Sequence, residues 1–216
     1  MNTFAEIILV FVLVINLALL GSGRLSGCIR LVAAQGVVLG LLPLFVGVGP
    51  VGARLLLLAA VIFALKGVVF PRLLFRSLRL SNARREATPG IGLTASVVLG
   101  VAVLIASFWM AAAFRVPVVR EAVSNLLLPV ALATALSGLL LIVSRRQALS
   151  QVVGYLVLEN GIFVFGVGLA PEEPLLIEMG ILLDVFAAVL VMGIAVFHIS
   201  REFDHIDVEQ LSQLRD

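Results

Sequence analysis

Cysteine, histidine and lysine are nearly missing from this chain. Its 216 residues hold one cysteine, Cys28, two histidines, His198 and His205, and one lysine, Lys66. Disulfide frameworks, iron–sulfur ligation and zinc sites all need clusters of such residues. No nucleotide-binding glycine loop or nucleophile triad is present either. Charge is also scarce, at 13% of residues, against roughly 25% in a soluble domain.

What is abundant is apolar surface: 62% of residues are hydrophobic and the mean hydropathy is +1.20. Such a composition excludes an ordinary soluble enzyme and predicts an all-α polytopic integral membrane protein. A span takes about 20 residues, so seven helices with short loops account for nearly the whole length. Apolar runs bounded by charge, Gly or Pro predict spans at about 4–20, 31–49, 55–75, 91–113, 126–143, 152–170 and 175–199. A cytoplasmic tail, 201–216, follows, with a weak apolar stripe suited to a short helix or hook. The first run carries Glu6, no preceding positive charge and no signal-type cleavage site, so it reads as a retained helix.

The arginines are distributed unevenly. Eleven fall at one membrane face (Arg24, Arg30, Arg72, Arg76, Arg79, Arg84, Arg85, Arg145, Arg146, Arg201, Arg215) and three at the other (Arg54, Arg115, Arg120). The positive-inside rule then puts the amino terminus outside and the carboxyl terminus in the cytoplasm. The loop at 76–90, rich in arginine, reads as a topological anchor beside anionic head groups or a docking surface for a soluble partner. Spans 1–3 and 5–7 share a pattern of polar residues, "RLVAAQGVVLG" (30–40) pairing with "GYLVLENGIFVFG" (154–166). They suggest a three-helix internal repeat in parallel orientation.

Ionisable groups inside apolar runs are expensive and carry function by default. Lys66, Glu159 and Asp184 all fall near the middle of their predicted spans, and Glu178 lies nearer the outer end of the last. Glu178 and Asp184 are six residues apart, about 9 Å along a helix and roughly 120° around it, so they need different neighbours. Buried carboxyls joined by polar groups and water can take up and pass on protons, and Lys66 is the available cation. The plainer alternative is that these charges pair as structural glue. Asn160 is placed to bond the carboxyl or tie two helices together, Gln35 is an auxiliary polar candidate, and His198 suits an interfacial position better than a proton exit. The "GVVLG" stretch (36–40) has small-residue spacing for close helix packing, while Pro43 and Pro71 are positioned to kink or end helices.

The stretch 144–193, with its "LENG" element and "IEMGILLDVFAAVLVMG" run, and the ending "DHIDVEQLSQLRD", resemble the hydrogenase-4 component E family. The resemblance covers essentially the whole chain and is strongest after residue 144. It implies a non-catalytic membrane subunit of an energy-converting nickel–iron hydrogenase or formate hydrogenlyase-type complex in a prokaryotic inner membrane. The latter half is similar to the K-type subunit of respiratory complex I and the C-type subunit of sodium/proton antiporters. By that similarity Glu159 corresponds to one glutamate of a hydrophilic axis, and Asp184 or Glu178 to the next. No cofactor is expected in this chain; the nickel–iron centre and iron–sulfur clusters would sit on cytoplasmic hydrogenase subunits, beside antiporter-like membrane subunits. A stand-alone secondary transporter or antiporter component using the same buried charges is the alternative.

Overall fold

The computed structural model describes residues 3–46, 52–80, 91–113, 125–169 and 193. The described residues are helical throughout, with no β-strand: α1 (Thr3–Gly21), α2 (Leu25–Val46), α3 (Ala53–Ala64), a π turn (Leu65–Val69), α4 (Phe70–Leu80), α5 (Leu93–Ala113), α6 (Leu127–Ser144) and α7 (Ala148–Leu169). Helices suit this composition because lipid offers no partner to a backbone N–H or C=O, and a helix satisfies both internally. Five of them, α1, α2, α5, α6 and α7, are long and apolar enough to cross a membrane. Residues 53–80 form one further continuous helical run in which the π turn separates α3 from α4. The seventh predicted span and the tail lie outside the described residues.

The helix ends differ instructively from the sequence-based ones. α2 begins at Leu25, so Arg30 lies inside the helix, on its exposed side. α4 continues to Leu80, which puts Arg72, Arg76 and Arg79 on a helix, all exposed, with Phe70, Leu74 and Ser77 buried on its other side. Hydropathy falls away where arginines accumulate, whereas a helix continues as long as its apolar stripe has something to pack against. Neither proline ends its helix. Pro43 lies in the last turn of α2, and Pro71 follows the π turn within the continuous run 53–80. A proline ring crowds the carbonyl four residues earlier, here Gly67, which belongs to the wider π turn.

Two apolar clusters order the bundle. One gathers Leu19, Leu20, Leu25, Ile29, Phe70, Leu74, Leu141, Leu149 and Val152 near the arginine-rich helix ends. The other gathers Leu9, Val12, Leu39, Leu42, Ile62, Leu127, Val130, Phe163 and Val164 at the opposite ends. Each helix that contributes to both clusters crosses between them. α1, the run 53–80 and α6 therefore point toward the arginine end, and α2 and α7 point away from it. The pairs α1–α2 and α6–α7 run in the same sense.

α6 and α7 form a hairpin of unusual closeness. A side chain at Gly138 would sit 2.6 Å from the Cα of Leu158, one at Gly154 2.8 Å from the backbone N of Ile142, and one at Gly161 2.7 Å from the Cα of Ala135. Helix association in lipid gains little from hydrophobic burial, so small residues that let backbones meet supply the packing. The "GVVLG" stretch works the same way for α2: Gly36 lies against Lys66 and Gly40 against the backbone of Phe63.

Candidate functional site

Between the two apolar clusters lies a layer of buried polar side chains. Asn16 on α1, Gln35 on α2, Lys66 on the π turn, Thr134 on α6, and Glu159 and Asn160 on α7 are all at most 4% exposed. On α2, the run 53–80, α6 and α7 the polar residue falls between members of one cluster and members of the other (Val32, Gln35, Leu39 on α2, for example, or Val157, Glu159, Phe163 on α7). On α1 Asn16 directly follows Ile15, the first member of the arginine-end cluster. The layer therefore sits at one depth across the bundle.

Lys66 is its centre. Its Nζ donates to both carboxylate oxygens of Glu159, at 2.6 and 2.7 Å, and to Oδ1 of Asn160 at 2.8 Å. The ammonium also lies 5.2 Å from the ring centroid of Phe163, within cation–π range. Two opposite charges in direct contact inside an apolar bundle offset much of each other's desolvation cost, and removing either one exposes that cost. The local backbone explains how Lys66 reaches the pair. At the end of the π turn the N–H of Phe70 bonds the carbonyl of Leu65, five residues back, and such single wide turns are often found at functional sites. On the other side Gly36 makes room: a side chain there would come within 2.5 Å of the Cβ of Lys66.

From the ion pair a hydrogen-bonded chain runs across the bundle. Asn160 Nδ2 donates to Gln35 Oε1 (3.2 Å), Gln35 Nε2 to Asn16 Oδ1 (2.9 Å), and Asn16 Nδ2 to Thr134 Oγ1 (2.8 Å). The chain ends where the Thr134 hydroxyl donates to the carbonyl of Val130, at 2.7 Å. Lys66, Glu159 and Asn160 also border a small cavity of about 10 Å³, whose other walls are Ile29, Val32, Phe70, Pro71, Leu74 and Leu156. Ile29, Phe70, Leu74 and Leu156 belong to the cluster near the arginine end, so the cavity lies on that side of the pair.

Of the residues singled out in the sequence, the structure brings together Lys66, Glu159, Asn160 and Gln35. Asn160 ties helices together by bonding Lys66 and Gln35. Glu178, Asp184 and His198 lie outside the described residues. Asn16 and Thr134 were not singled out, although each is a polar residue inside an apolar run, which is the signal that drew attention to Gln35. Arg145 was read only as a loop charge. It is 3% exposed, and its Nη2 donates to the carbonyls of Leu20 and Ser22, closing the carboxyl-terminal end of α1. Burial draws its pKa below the usual arginine value, yet a guanidinium retains its charge in proteins.

Residues 126–216 match the family model of NADH-ubiquinone/plastoquinone oxidoreductase chain 4L. An uncharacterized protein of Mycobacterium tuberculosis is 33% identical over 195 residues, covering 89% of this chain and 87% of its own length. Hydrogenase-4 component E of Escherichia coli K12 is 42% identical over 88 residues, 41% of this chain and 41% of that protein, and the Shigella flexneri protein of the same name matches equally. The similarity to hydrogenase-4 component E thus spans less than half the length of either chain. No solved structure matches. Residues 126–216, which carry Glu159 and Asn160 on α7, thus belong to the oxidoreductase chain 4L family, and the chain is related to hydrogenase-4 component E over part of its length.

Proposed function

We propose that the protein is a non-catalytic membrane subunit of an energy-converting, hydrogenase-like oxidoreductase complex, and that its polar layer is one segment of a proton or sodium translocation axis. The observation that carries this reading is the contact of Lys66 with Glu159 between two apolar clusters, beside a cavity. A carboxylate held by a lysine in low dielectric changes its proton occupancy when a neighbouring charge moves, because the interaction is screened so little. Redox chemistry on partner subunits would supply that moving charge. Glu159 is the relay in this reading, Lys66 its charge partner, and Asp184 or Glu178 the next station. The nickel–iron centre and iron–sulfur clusters belong to cytoplasmic partners, next to antiporter-like membrane subunits. The amino terminus is outside and the carboxyl terminus cytoplasmic in this reading, which the arginine distribution supports.

Glu159→Gln tests this reading in the intact complex, since glutamine keeps one acceptor for Lys66 but cannot carry a proton. The expected complex assembles, reduces soluble dyes at the normal rate and fails to move ions into sealed vesicles; failure to assemble would instead favour a purely structural ion pair. Translocation at the wild-type rate by that variant would overturn the relay role. Affinity purification of the wild-type chain brings down hydrogenase-like subunits; recovery as a stable homo-oligomer alone would favour a stand-alone transporter.

A further inference from the structure

The four neutral members of the polar layer share one property: every hydrogen bond among them points the same way. Paired with the Glu159 carboxylate, the Lys66 ammonium has donors and no acceptor, so the Asn160 atom 2.8 Å from Nζ is its oxygen. The Asn160 amide group is thereby turned to Gln35, Gln35 to Asn16, and Asn16 to Thr134, each donating through nitrogen to the next oxygen. At the far end the Val130 carbonyl can only accept, which fixes the Thr134 proton on it and leaves the hydroxyl oxygen free to accept from Asn16. Both ends impose the same direction. Turning any one amide over would set donor against donor on one side and acceptor against acceptor on the other.

The three amide dipoles therefore align, with their negative ends toward Lys66. Aligned hydrogen bonds polarise one another in low dielectric, and the Asn160 oxygen is strengthened as an acceptor. Among the described residues Nζ then faces that oxygen and both oxygens of Glu159. Three acceptors suit an ammonium, while the lone pair of a neutral amine would be set against one of them. The branch is a poor conduit by the same chemistry, since a side-chain amide can hand a proton on only by passing through an imidic acid. Glu159 differs in its chemistry: a carboxylate takes up and releases a proton directly, and with Lys66 and Asn160 it borders the cavity.

We propose that Asn16, Gln35, Asn160 and Thr134 are positioning residues that hold Lys66 as the stationary cation of the pair, leaving proton exchange to Glu159. The second clause rests on the translocation reading above; the first stands without it.

A double-mutant cycle on the whole complex separates the two. Thr134→Val removes the anchoring hydroxyl with little change of shape, and Thr134→Ser keeps it. The backgrounds are the wild type and Lys66→Met/Glu159→Gln, in which both charges are gone together. In the wild type Thr134→Val lowers the thermal midpoint for loss of the subunit by roughly 2–4 °C, and Thr134→Ser leaves it in place. In the charge-free background the effect of Thr134→Val falls by at least half, because no cation remains for the chain to orient toward. Equal drops in both backgrounds would overturn the positioning role, since simple packing is indifferent to the charge on Lys66. If Thr134→Val does not assemble, Asn16→Leu runs the same cycle in the middle of the chain with the same two outcomes. A positive cycle beside normal ion transport by Glu159→Gln would retain the stationary cation and discard the translocation reading. A null cycle beside failed transport would do the reverse.

Discussion

α5 and α7 are both apolar helices long enough to span a membrane, and α5 is the more hydrophobic of the two. Yet 17% of the α5 window is buried within the protein, against 67% for α7. On α5 the buried positions are Ser96, Gly100 and Ser107, a narrow stripe of small residues, with Leu17 and Leu20 of α1 resting at Gly100. Its remaining surface presents Val98, Ile105 and Trp109 outward. α7 presents three glycine-centred contacts or polar anchors in succession, at Gly154, Glu159 with Asn160, and Gly161. Hydropathy therefore states only that a helix prefers lipid to water. Small and polar residues decide which helices are drawn inward, because in lipid the gain comes from close backbone contact and shared hydrogen bonds.

The comparison is broken most severely by removing a charge from α7. Glu159→Leu leaves Lys66 buried without its carboxylate, and loss of one partner of a buried pair costs about 3–5 kcal/mol. The subunit then fails to appear in the membrane fraction, or unfolds at markedly lower denaturant. A near-normal midpoint would show that Lys66 has a sufficient anchor elsewhere. Next in size is Gly161→Ala. The added methyl meets the Ala135 backbone at 2.7 Å, which cannot turn aside as a side chain does. Overpacking of this kind costs about 1–3 kcal/mol, read as a lower thermal midpoint. The smallest effect belongs to α5. Ser96 Oγ is buried without a hydrogen-bond partner among the described residues. Ser96→Ala should change stability by no more than about 0.5 kcal/mol and can raise it, since an unpaired hydroxyl is lost. A large loss there would place a partner on α5 and remove the contrast with α7.

Lys66 and Glu159 were legible in the sequence because a charge inside an apolar run is conspicuous wherever it folds. Gln35 and Asn160 were legible for the same reason, more weakly. Asn16 and Thr134 escaped because one neutral polar residue in a span is commonplace, and its importance depends on what faces it. The π turn was not visible at all: Pro71 marked the place, but a proline there is equally compatible with a kink or a helix end. Arg145 was hidden by its own charge, which the topology rule counts as a loop marker and nothing more.

The sequence by itself determined that the chain is helical and lives in lipid, where its arginines gather, and that Lys66 and Glu159 had to find partners. Those properties are set by composition and local period. Only the tertiary structure decided who the partners are. Lys66 meets Glu159 at 93 residues' separation and Asn16 meets Thr134 at 118, distances over which no local pattern carries information. Their meeting depends on the register of one helix against another. That register is set by contacts such as Gly36 on Lys66 and Gly161 on Ala135, where the absence of a side chain fixes how far each helix slides before it stops.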